Sequence, residues 1–165
     1  RRTTVSGIQR KWWFTDTRHA ACNFENENGE TPVEFAQFGI NLTVLEPGQS
    51  NGFYHSESAQ EAFLVLSGEC RLLVEGEERL LGPWDFFHSP PLTEHIFVGA
   101  GDGPCVILMA GTRSEEWEVR YPVSELAARY GASVAEETSD PAQAYTEVEW
   151  FRRERPPYWD RLPWV

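Results

Sequence analysis

The sequence reads as an all-β, antiparallel sandwich or barrel followed by helical segments. Three observations lead there. Short apolar runs recur between turn signals about every 8–12 residues from Val33 to Gly111. No helical pattern of 10–15 residues separates those runs, which argues against a parallel βαβ sheet. After Gly111 the pattern changes to capping signals and three-residue apolar spacing. With 165 residues, 41% of them hydrophobic and 24% charged, the chain can bury a sizeable core.

Taken in order, residues 1–32 are polar and expected to be irregular, an N-terminal arm. Trp12-Trp13-Phe14 interrupts them and reads as an aromatic clamp closing a barrel end or covering a subunit partner. His19 reads as a solvated surface residue, and Asn26-Glu-Asn-Gly29 as a turn. Between Val33 and Glu46 the apolar parity shifts after Phe35, so a bulge or two strands are expected before Pro47-Gly48. Gly68 opens a turn, and Glu75-Gly76-Glu77 joins Arg71-Leu-Leu-Val74 to Arg79-Leu-Leu81. Trp84-Asp-Phe-Phe-His88 is a strand broken by Ser89-Pro-Pro91, and Ile96-Phe-Val98 is the next. Gly101-Asp-Gly103 turns into the apolar strand Cys105–Met109. Further on, Ser124 caps a helix over residues 125–130 that Gly131 stops. Asp140-Pro141 begins a second helix, which Tyr145, Val148 and Phe151 carry forward on one face until Pro156-Pro157 ends it. The tail Tyr158–Val165 is too apolar to stand in water, and Arg152, Arg153, Arg155 and Arg161 are expected to form salt bridges within or between subunits. One domain is expected over 1–165, with the barrel core at about 33–111 and helices and tail at 112–165.

The chemistry-bearing residues concentrate between His55 and His95. If Tyr54–Phe63 is extended, His55, Glu57 and Glu61 share one parity and face the same way, followed by Phe63 and Val65 as expected of a barrel interior. A buried carboxylate is costly unless paired or coordinated, so two Glu and a His on one inward face call for a partner, and a metal ion is the simplest. His88 shares parity with Trp84 and Phe86 and reads as part of the wall.

These stretches resemble the motifs of the cupin superfamily. The first cupin motif, G-x5-H-x-H-x3–4-E-x6-G, finds its first His in His55, its Glu in Glu61 and its closing Gly in Gly68, with Glu57 in place of the second His and Gly48 one residue early. The second, G-x5-P-x-G-x2-H-x3-N, finds Pro90 and His95, with Trp84 and Leu92 at its glycine positions and Gly99 at its Asn. The resemblance spans about residues 33–111. It implies a double-stranded β-helix, the jelly-roll barrel of cupins, and a divalent metal (Zn, Mn, Fe or Ni) held by His55, Glu57, Glu61 and His95. Binding by all four would favour harder ions such as Mn or Fe(II). Binding by His55, Glu61 and His95 alone would leave positions open and free Glu57 as an acid/base. The resemblance also implies a small-molecule ligand and a homodimer. Function then lies between a metal-dependent oxygenase or isomerase and a non-catalytic binding or sensing module.

Composition narrows the partners. The formal net charge of −12 disfavours nucleic acid and anionic membrane. No apolar run approaches the ~20 residues of a membrane span. Cys22, Cys70 and Cys105 form no C-x-x-C pattern, so a reducing, cytoplasmic setting is expected.

Overall fold

The computed structural model describes residues 37–146 and 160–163 in full, and elsewhere the backbone of residue 159 and of four N-terminal strands. Those four are β1 (Lys11–Thr15), β2 (His19–Asn23), β3 (Asn26–Asn28) and β4 (Thr31–Val33). Nine more follow: β5 (Phe38–Leu45), β6 (Ser56–Glu57), β7 (Glu61–Ser67), β8 (Glu69–Val74), β9 (Glu77–Leu81), β10 (Phe86–Ser89), β11 (His95–Ala100), β12 (Cys105–Thr112) and β13 (Val119–Arg120). Two one-turn helices, α1 (Glu125–Ala128) and α2 (Pro141–Ala144), and a 3-10 turn at Trp159–Arg161 complete the described elements.

The described strands pair antiparallel throughout. A six-stranded sheet runs β1-β2-β5-β12-β7-β10 and a three-stranded sheet runs β11-β8-β9. The chain is therefore all-β with short helices only after the barrel, as its turn spacing predicts. The parity shift after Phe35 resolves into two strands, β4 and β5. The N-terminal stretch corrects the expectation of an irregular arm, because β1 and β2 extend the larger sheet beside β5. The clamp expected of Trp12–Phe14 and the surface exposure of His19 concern side chains outside the described residues.

The core lies between the two sheets. Leu45, Phe63, Val65, Cys70, Leu72, Phe97, Cys105, Ile107 and Met109 form one buried cluster. Each alternates with an outward neighbour along its strand, and burying a side chain of this size stabilises by about 1.5–3 kcal/mol. Gly68 lets β7 turn into β8 here: its φ is +73°, and a Cβ would sit 2.4 Å from the Pro104 carbonyl oxygen. The outer face of the smaller sheet is covered too, since Leu73, Ile96 and Val98 pack with Tyr54, Ala127 and Ala132. That cover is α1, whose N-cap Ser124 accepts from the Ala127 N–H at 3.2 Å and whose continuation Gly131 ends at φ +65°.

The second helix is shorter than its apolar spacing suggests. Asp140 caps it by accepting from the Ala142 N–H at 2.8 Å, but regular geometry stops at Ala144. Tyr145 turns away at φ −107° and ψ 20°. Its ring meets Phe53 at 4.9 Å and its hydroxyl accepts the Phe53 N–H at 3.2 Å. That tertiary anchor overrides the helical spacing; Val148 and Phe151 lie outside the described residues. At the far end Leu162 is buried and Arg161 pairs with Glu46, so this part of the tail packs on its own chain.

Candidate metal centre

Three pieces of chain build the centre. His55 and His95 face each other across an isolated antiparallel bridge, where the His95 N–H donates to the His55 carbonyl at 2.8 Å and the His55 N–H to the His95 carbonyl at 3.2 Å. The two rings end 5.1 Å apart between centroids. Glu61 comes from the start of β7, paired with Ser89 on one side and Gly111 on the other. The run from His55 to Glu61 is not one extended strand as parity supposes. It pairs with β13 at Ser56–Glu57, bends through residues 58–60 and restarts at Glu61. The alignment of His55 with Glu61 therefore arises from two elements.

One donor atom each from His55, Glu61 and His95 falls within 4.8 Å of the others, and these three are the only such group among the described residues. Both imidazoles are oriented by the backbone. His55 Nδ1 lies 2.7 Å from the Phe53 carbonyl oxygen and His95 Nδ1 lies 3.0 Å from that of Thr93. A carbonyl only accepts, so each Nδ1 carries the proton and each Nε2 keeps its lone pair. His95 Nε2 lies 3.2 Å from Glu61 Oε2. That is an ion-pair distance, and Oε2 is buried without a geometrically formed hydrogen bond among the described residues. An orphaned, buried carboxylate oxygen beside two imidazole lone pairs is a set of donors lacking an acceptor.

Glu57 stands outside the three. Its Oε2 accepts the Trp117 indole N–H at 2.6 Å, and its carboxyl group lies beside that of Glu61. Burial, then the Glu61 charge, pushes Glu57 up to about 7. Burial also works to raise Glu61, but His95, Glu57 and His55 outweigh it and hold Glu61 below the usual range. Of the two carboxyls, Glu57 thus takes a proton first. Burial lowers His55, helped by His95. Burial would lower His95 too, but Glu61 reverses it and leaves His95 raised. Aromatic rings enclose the group: Phe63 meets His95 edge-on at 5.2 Å, Phe87 stands at 6.0 Å, and Tyr121 lies 5.8 Å from His55.

Sequence reasoning passed over Trp117 and Tyr121. Their signal is the alternation Trp117-x-Val119-x-Tyr121, an extended stretch that returns past the barrel and pairs with β6. His88, expected in the wall, is exposed on β10, while its neighbour Phe87 packs on the core.

Residues 41–111 match the family model of the cupin domain. The chain belongs to the cupin superfamily. Among solved structures, an Acidithiobacillus ferrooxidans protein provisionally named a sugar phosphate isomerase aligns at 29% identity and a TM-score of 0.50, over 59% of this chain and 64% of its own. A sugar phosphate isomerase of the cupin superfamily from Silicibacter pomeroyi aligns at 24% and 0.56, over 68% and 76%. An RmlC-like cupin from Shewanella frigidimarina aligns at 16% and 0.54, over 70% and 95%. No curated protein matches the sequence. His55, Glu61 and His95 occupy cupin motif positions, and their donor set together with the orphaned Glu61 oxygen fits a divalent cation. At the second motif's glycine positions, Trp84 and Leu92 keep glycine-like backbone at φ +72° and +66°.

Proposed function

We propose that this cupin binds one divalent metal ion (Zn, Mn, Fe or Ni) through His55, Glu61 and His95 and acts on a small molecule beside it. The observation that carries this reading is the shared commitment of both Nδ1 atoms to backbone carbonyls, which leaves two Nε2 lone pairs and the unpartnered Glu61 Oε2 convergent. Two imidazoles and one carboxylate leave coordination positions for ligands. A metal so bound supplies Lewis acidity toward a ligand oxygen. Glu57 serves as the acid/base: without a metal, burial and the Glu61 charge push it up to about 7, and its Oε2 accepts the Trp117 indole N–H at 2.6 Å. The rings of Phe63, Phe87 and Tyr121 keep the surroundings dry, which strengthens every charge interaction there. A homodimer in the cytoplasm belongs to the same proposal.

The test is elemental analysis of protein purified without added metal, beside His95→Ala. Near-stoichiometric Mn, Fe, Ni or Zn in the wild type and its loss in the variant are expected. No metal in the wild type after incubation with each ion, or full content in His95→Ala, would sink the reading.

A further inference from the structure

Lined in part by Trp117 lies an open cleft of about 640 Å³, within the size range of small-molecule sites. Leu92 and Trp117 supply its apolar surface, and Glu94, Glu118 and Arg120 its charges. It adjoins the centre through shared residues: the Trp117 indole N–H holds Glu57, and the Leu92 N–H donates to the Glu57 carbonyl at 2.7 Å.

The cleft's charges have one sign to spare. Glu137 meets the Arg120 guanidinium at two points, 3.1 and 2.8 Å, and Glu94 approaches it at 3.7 Å. Glu118 is exposed and makes no ion pair among the described residues. Three carboxylates therefore face one cation already engaged, in a protein of net charge −12. Among the described residues an anionic ligand finds no unengaged cation here, whereas a positive group finds carboxylates and the Trp117 indole, the most favourable ring type for a cation. Leu92, at φ +66° on the second motif's glycine position, is 66% exposed at the cleft.

We infer that this cleft binds a small organic cation, an ammonium-type group on an apolar frame, with the cation over Trp117 and beside Glu118 and the frame against Leu92. It names the substrate class for the proposed centre and rests on that reading only for the chemistry that follows binding.

The test is a ¹H–¹⁵N NMR titration of the full chain with benzyltrimethylammonium and, separately, phenyl phosphate at equal ionic strength. The cation is expected to shift the Trp117 indole N–H and the Val119 and Arg120 amides, with an affinity at least about tenfold above that of the anion. Leu92→Gly keeps the backbone conformation, so it should melt no lower than the wild type while binding the cation about fivefold more weakly. Equal binding of the anion, shifts confined elsewhere, or undiminished affinity in Leu92→Gly would overturn the assignment. Metal content of the same samples separates the two proposals. Cation binding lost with metal present refutes the cleft alone, and metal absent with cation binding intact refutes the centre alone.

Discussion

Glu57 and Glu61 are both carboxyls, but they sit in different company. Glu61 faces two imidazoles, which stabilise its charge; Glu57 faces Glu61 and an indole. Their variants should therefore separate. Glu61→Gln replaces an anionic oxygen by a neutral amide and should lower metal affinity at least about a hundredfold. Glu57→Gln keeps a group that can accept the Trp117 N–H, and should change affinity less than about fivefold. Titration calorimetry on the two proteins checks this, and equal losses would make Glu57 a ligand. Much of this site is legible in the chain itself. The motif-like spacing flags His55, Glu61 and, from Pro90, His95, whereas the parity of His55, Glu57 and Glu61 supposes one strand that the bend at residues 58–60 breaks. What parity cannot show is the partner of Glu57. Trp117 lies 60 residues on, and only the pairing of β13 with β6 brings it near.

At the scale of single elements, local chemistry accounts for the ends and turns. Gly68 and Ser124 do what their residue types suggest. Gly68→Ala forces a Cβ against the Pro104 carbonyl at a positive φ, and should cost at least about 2 kcal/mol. Ser124→Ala removes only the hydroxyl that accepts the Ala127 N–H and should cost about 1 kcal/mol. Urea denaturation of the two variants should rank them in that order, and the reverse order would mean that the β7–β8 corner relaxes freely. Elements whose limits depend on distant partners read less well. α2 stops at Ala144 because Tyr145 is drawn to Phe53, 92 residues earlier. The strands β1 and β2 escape notice because their pairing with β5 leaves no turn or alternation signal within a polar stretch.

At the scale of the whole molecule, the outside of the large sheet carries an apolar row. Register places Phe86, Leu64, Leu108 and Leu42 directly across from one another on β10, β7, β12 and β5. Phe86, Leu64 and Leu108 alternate with residues of the core cluster or its lining, and Leu42 lies directly across from Leu108, so the four form an apolar row on the outer face. Phe86 is 64% exposed at the end of that row, and Trp84, two residues earlier, is 76% exposed in a left-handed conformation. Exposed apolar groups aligned in this way are commonly buried by association. The side chains of the Trp12–Phe14 run, which suggests dimerisation in the sequence, lie outside the described residues, and the described part of the tail packs on its own chain. The outer row is thus the better support for the proposed homodimer. Glu61 shares the inward parity of Phe63 on β7, so two copies joined at the outer face would leave the candidate centres clear of the interface. Phe86→Ser should then shift sedimentation at micromolar concentration from dimer to monomer while metal content stays unchanged. A wild type that sediments as a monomer, or a Phe86→Ser variant that remains dimeric, would leave this face without a partner copy.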